Sequence, residues 1–150
     1  MSFELESDDS GKINHGGYYY GTVIDTKTDS KSVCFFYQNG YCLFFTTGDS
    51  TSIKRGEIDF SDRMVDYKTG SGIYRVIGDE VVVEVWESDP RLGRSVDRFE
   101  GTILNNTTIR FDKKIRRFDD DETSISLLEP EFKFVSSLNK PDSSKFSFLD

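Results

Sequence analysis

From residue 17 onward, apolar and polar residues alternate or cluster in short bursts separated by Gly, Asn, Asp and Ser. Successive side chains of an extended chain point to opposite faces, so such bursts read as half-buried strands. Eight runs rich in aromatic and β-branched residues qualify: 17–24, 32–38, 41–47, 72–77, 80–87, 95–104, 107–112 and 131–136. Three gaps hold two-residue turn signals, Asn39-Gly40, Gly78-Asp79 and Asn105-Asn106. These pairs reach positive φ at low cost and close antiparallel hairpins. The prediction is an all-β chain, an eight-stranded antiparallel up-and-down meander. Closing it into a barrel removes its exposed edges, and a two-sheet sandwich is the alternative. Residues 55–68 keep no period of two; they could hold one short helix, with Ser61 as its N-cap, or a long loop. Residues 1–15 are polar and read as a flexible start to a single domain spanning 1–150.

Register assigns the faces. A two-residue loop at Asn39-Gly40 sets Tyr37 opposite Cys42, Phe36 opposite Leu43 and Cys34 opposite Phe45. One face of that hairpin then carries Cys34, Phe36, Tyr41, Leu43 and Phe45, the other Val33, Phe35, Tyr37, Cys42 and Phe44. Both are apolar, so both need a cover, and an uncovered one would be an interaction site. Cys34 and Cys42 fall on opposite sides, which predicts two free, buried thiols and fits a reducing compartment. In the 72–87 hairpin, Tyr74, Val76, Val81, Val83 and Val85 form a core face. Arg75, Glu84 and Trp86 sit among aliphatics on the other, an outer surface or a semi-polar cavity wall.

Composition narrows the partners. The formal charge of -8 lacks the positive footprint that nucleic acid or an anionic membrane needs. No apolar run approaches the ~20 residues of a membrane span. The first residues lack the basic end and apolar stretch of a secretory signal, so a soluble, cytoplasmic protein without membrane insertion is expected.

Candidate chemistry is sparse. His15 is the one histidine, in a polar segment where a general base would lack a fixed partner. It leaves no histidine-rich metal site. Lys113-Lys114-Ile115-Arg116-Arg117 precedes Asp119-Asp120-Asp121-Glu122, and together they read as a solvated loop with local ion pairing. The acidic run lacks calcium-loop spacing, and the basic run is neutralised at once. Glu84 and Glu100, each inside a strand, are a conceivable carboxylate pair for glycoside hydrolysis. Arg75 and Arg98 are either bidentate donors to a ligand carboxylate or outward arginines. No phosphate-cradling glycine loop or nucleophile elbow appears.

Three short motifs carry a resemblance: the opening Gly16-Gly17-Tyr18, the hairpin from Gly72-x-Tyr74-x-Val76 to Trp86, and Phe99-x-Gly101-x-Ile103 before Asn105-Asn106-Thr107-Thr108-Ile109. Over Gly16 to Phe134 the chain resembles small bacterial lipocalin-like proteins of the calycin group, while lacking the Gly-x-Trp opening of secreted lipocalins. The resemblance implies a barrel that holds a small apolar ligand. One Trp, 7 Tyr and 13 Phe supply large apolar walls for such a cavity. The first expectation is therefore non-catalytic binding of a small hydrophobic or amphipathic molecule. Its lining would be Tyr20, Phe36, Leu43, Tyr74, Val83, Trp86 and Phe99. Tyr74 and Trp86 face opposite ways unless a bulge intervenes. The second is a protein-interaction or assembly module, a filled barrel whose 32–47 hairpin meets a partner, as in a homodimer. An enzyme ranks last, because no nucleophile and base are paired; no catalytic residue, cofactor or metal is assigned.

Overall fold

A computed structural model describes residues 4–21, 31–47, 70–89, 93–118, 121–126 and 131–137. They form β1 (Gly17–Gly21), β2 (Lys31–Phe36), β3 (Tyr41–Thr47), β4 (Ser71–Ile77), β5 (Glu80–Asp89), β6 (Gly93–Asn105), β7 (Thr108–Phe118), β8 (Asp121–Ser126) and β9 (Glu131–Ser136). Each of β1 to β7 pairs antiparallel with its successor, and β9 bridges β7 to β1. The sheet thereby closes on itself as the expected eight-stranded barrel, with no helix among the described residues. Its eighth strand comes in two pieces laid end to end along β7. β8 pairs with the far half of β7, Phe118 opposite Asp121 and Lys113 opposite Ser126. β9 takes the near half, Arg110 opposite Glu131 and Thr108 opposite Lys133. The stretch 55–68, where a short helix was considered, lies outside the described residues.

The turn chemistry holds best at Gly78-Asp79, where Ile77 pairs with Glu80 around a two-residue loop and Gly78 has φ 62. The Asn39-Gly40 register is corrected by one residue. Gly40 N–H donates to the Tyr37 carbonyl and Tyr37 N–H to the Tyr41 carbonyl, each at 3.0 Å. Gly40, at φ 88, takes the extra position of a bulge, and Phe36 pairs with Cys42. The β3 residues therefore exchange faces. Cys34, Phe36, Cys42 and Phe44 share the inside, and Val33, Phe35 and Leu43 the outside. Cys34 and Cys42 lie on one face, not on opposite ones; both are free and fully buried, and burial pushes the Cys42 thiol up. The third turn also moves by one, since β6 runs to Asn105 and β7 starts at Thr108. There Asn105 Oδ1 accepts from Thr107 N–H at 2.9 Å and from its hydroxyl at 2.7 Å.

The expected solvated loop after residue 112 is strand as well: Lys113 to Arg117 belong to β7, and Asp121 and Glu122 to β8. The register explains how. Gly101 pairs with Phe111 but Glu100 with Lys113, so Asp112 is an extra residue in β7. A bulge reverses the side-chain alternation beyond it. Before it Ile109 and Phe111 point inward; after it the inward positions fall on Lys114 and Arg116.

Aromatic rings cross the middle of the barrel. Phe44 of β3 stacks on Phe99 of β6 at 4.6 Å between centroids and 6° between planes. It also meets Phe111 of β7 at 6.3 Å and Phe132 of β9 at 5.9 Å. These strands are not neighbours of β3, so the contacts span the interior. A second apolar cluster, Tyr18, Val33, Phe35, Tyr37 and Leu43, lies on the outside of β1 to β3 and is buried by the chain's own atoms.

Candidate functional site

Three hairpin turns lie at one end of the barrel, and residues 4–16 cross that end as a strap. Asp8 N–H donates to the Gln38 carbonyl at 2.7 Å, reaching the β2–β3 turn. Lys12 Nζ reaches the β4–β5 turn, 2.6 Å from the Gly78 carbonyl and 2.8 Å from Asp79. Tyr19 accepts from Asn14 N–H at 3.0 Å and donates to the Asn106 carbonyl at 2.7 Å, joining the strap to the β6–β7 turn. Ile13 inserts into the core beneath.

The strap also fixes His15. Its Nε2 lies 3.0 Å from Asp8 Oδ2 and 2.9 Å from the Tyr74 hydroxyl. Tyr74 donates to the Tyr37 carbonyl at 2.7 Å, so an imidazole protonated on Nε2 donates to both neighbours. The Asp8 carboxylate further accepts from Ser10 N–H and Oγ, at 3.1 and 2.6 Å. Burial, and then Asp8, hold the Tyr74 phenol well above its ordinary range. Beside the strap, Glu6, Asp8, Asp9, Tyr74, Arg75 and Val76 border a groove of about 230 Å³. Arg75 is engaged there by Glu6 at 2.7 Å. This constellation ties strap to barrel.

The inward face changes character toward the other end. Beyond Val83 and Phe99 it carries Asp97, Lys114 and Arg116, with Glu87 and Ser95 paired across β5 and β6. Arg116 holds both Asp97 oxygens, Nε to Oδ1 and Nη2 to Oδ2, each at 2.8 Å. Lys114 Nζ stands 3.1 Å from Oδ2 and 5.3 Å above the Phe99 ring. The Asp97 side chain is 1% exposed and that of Lys114 9%, whereas Arg116 keeps 38%. Burial alone would raise the Asp97 pKa, but hydrogen bonds and charge from Arg116 and Lys114 outweigh it and hold the carboxyl below its usual range. Glu87 moves the other way, raised by burial and then by Asp97. Two carboxyls and two cations thus face one another above the ring layer.

Of the seven residues expected to line a cavity, Phe36, Tyr74, Val83 and Phe99 share the inner cluster. Leu43 and Tyr20 belong to the outer one, and Trp86 faces outward beside Glu84, opposite Val96. Arg98 also stands outside, 3.0 Å from Glu100 and 3.8 Å from Glu84, so a cation separates the two glutamates considered as a pair. Asp97, Glu87, Lys114 and Arg116 escaped the sequence reading. One signal was available: Lys114-x-Arg116 and Asp97-x-Phe99 both keep the strand period of two.

No family model, curated protein or solved structure matches this chain. Among the described residues, no helix is long and apolar enough to cross a membrane, and no group of three His, Cys, Asp or Glu could hold a metal.

Proposed function

We propose that this protein is a non-catalytic, lipocalin-like barrel that binds a small amphipathic molecule at the end opposite the strap. The observation that carries the reading is the bulge at Asp112, which sets Arg116 rather than Ile115 opposite Asp97 on the inward face. Bulges often re-aim side chains beside binding and catalytic sites. A layer of Phe99 and Phe44 lies below and charged groups lie above, the mixture of apolar wall and few polar anchors that small-molecule sites use. A cytoplasmic setting, in which the thiols stay reduced, belongs to the same reading.

The ring contacts through the middle support a barrel filled by its own side chains in its strap half, as the interaction-module reading would have it. That reading, however, drew its motive from an uncovered hairpin face, and Val33, Phe35 and Leu43 on that face are buried within the single chain. A homodimer across it therefore lacks its driving surface.

Native mass spectrometry of protein gently purified from cells tests the proposal, repeated after denaturation. A mass excess that vanishes on unfolding is expected. A clean mass, together with no saturable binding of a fluorescent fatty-acid analogue, would sink the proposal.

A further inference from the structure

We propose that the strap is a proton-operated clasp, drawn tight across its end of the barrel when His15 is protonated and loosened when that proton leaves. Three segments place the ring for this role. Its Nε2 lies 3.0 Å from Asp8 Oδ2 and 2.9 Å from the Tyr74 hydroxyl, so one imidazole joins two points of the strap to β4. The same Asp8 oxygen lies 3.3 Å from the Tyr74 hydroxyl, which closes the triangle. Tyr74 in turn donates to the Tyr37 carbonyl at 2.7 Å, extending the clasp to the β2–β3 connection.

Burial and charge decide the direction. The Asp8 side chain is 3% exposed and that of His15 26%. A carboxylate so enclosed is costly to keep ionised without an opposite charge, and its hydrogen bonds from Ser10 N–H and Oγ supply none. Among the described residues, His15 is the basic group in contact with it. The cations nearby have acids of their own: Arg75 of β4 pairs with Glu6 at 2.7 Å, and Lys12 of the strap with Asp79 at 2.8 Å. Asp9, a further acid of the same groove, favours a positive ring as Asp8 does. Tyr74 stays a neutral phenol, since burial and then Asp8 raise its pKa. Of these groups, histidine is the one that titrates between about pH 5 and 8. Neutral imidazole still offers an N–H to the same partners but no charge, so losing the proton weakens the clasp without abolishing it. An imidazolium facing a carboxylate keeps its proton more firmly in the closed strap than in an open one. Closure therefore strengthens as pH falls through the histidine range, near 6.5 in a free chain, until Asp8 itself takes a proton near 4. What closure covers is apolar. Ile13 sits in the core between the Lys12 and Asn14 anchors, and Phe36 packs against Tyr74 at 4.7 Å.

His15 is the one histidine of the chain, so its ring protons can be followed by NMR without ambiguity. Titration of the full chain should show a midpoint about one pH unit lower in D8N than in wild type. One unit corresponds to about tenfold in the closure equilibrium. Amide exchange, corrected for its intrinsic pH dependence, reads that equilibrium directly. Protection of the Asp8 and Asn14 N–H groups should fall about tenfold from about pH 5.5 to 8.5, while Val83 and Phe99 in the sheet keep theirs. H15Q retains a donor but does not titrate, so its strap protection should stay flat over this range; it also decides the matter if D8N does not fold. Equal midpoints in wild type and D8N overturn the proposal, as does strap protection that varies with pH as much in H15Q as in wild type. Parallel changes at Val83 and Phe99 would assign the pH dependence to global unfolding and overturn it too.

Discussion

Among the described residues, Asp8 is buried at the strap end of the barrel and Asp97 at the other, and the company each keeps is different. Asp8 meets Ser10 and His15 within the strap and Tyr74 on β4, so its hydrogen bonds join segments far apart in the chain. Among the described residues, Asp97 pairs with Lys114 and Arg116, both on β7, which already pairs with β6 through the backbone ladder. The first carboxylate therefore adds connectivity that the sheet lacks. The second adds none, and it confronts two full charges in a place where charge is expensive to bury. Polarity at the strap end closes the fold. At the other end it joins two strands that the backbone already pairs.

The ring layer between the two ends is where the comparison can be broken most severely. Phe44→Ala removes the ring that meets Phe99, Phe111 and Phe132, and should cost about 3–5 kcal/mol in denaturant unfolding. A loss under 1 kcal/mol would mean that the middle of the barrel is not packed as described. Asp97→Ala comes next. It removes the carboxylate that Lys114 and Arg116 share, with a penalty of about 2–3 kcal/mol once solvent screening of the partly exposed Arg116 is allowed for. Its pH dependence has a definite sign. The folded Asp97 pKa lies below its unfolded value near 3.9, so its contribution is complete above that value and is lost as pH falls through the folded one. The stability gap between wild type and D97A should accordingly narrow below about pH 4.

The strap can be sharpened with two glycines. Both Gly40 and Gly78 adopt positive φ in hairpin turns, at 88 and 62. A Cβ on Gly40 would run into the Glu6 carbonyl of the strap, while one on Gly78 meets nothing within 4 Å. Gly78→Ala should cost only the backbone penalty, about 1 kcal/mol, and Gly40→Ala about 2 kcal/mol because the strap must also shift. Equal losses in thermal unfolding would show that the strap does not press on that turn.

These residues also mark how far the sequence could be read. Gly78-Asp79 and the Val81, Val83, Val85 alternation specified their hairpin completely, since loop length and pattern agree. Asn39-Gly40 did not, because the same dipeptide closes a two-residue loop or a bulged turn, and the choice inverts β3. Phe36, Tyr74, Val83 and Phe99 were legible as interior from apolar alternation alone. Lys114 and Arg116 were not, because the bulge that turns them inward has no side-chain signature of its own. A run of charge naturally reads as a solvated loop. The strap escaped for a related reason: its contacts use backbone groups and short polar side chains, which composition cannot tell from a free end.

The smallest effect is the most discriminating for the charged end. Burial first, and Asp97 second, raise the Glu87 pKa, with Lys114 and Arg116 pulling against them. A carboxyl whose folded pKa exceeds its unfolded value holds its proton more firmly in the native state. Wild-type stability therefore declines as pH rises from about 4.3 through the raised value, and the penalty is complete above it. Glutamine does not titrate, so Glu87→Gln removes the penalty. Its melting temperature should exceed that of wild type by about 1–2 °C at pH 7, and the two should converge near pH 4. A variant less stable than wild type at neutral pH would mean that Glu87 is held as a carboxylate by the two cations.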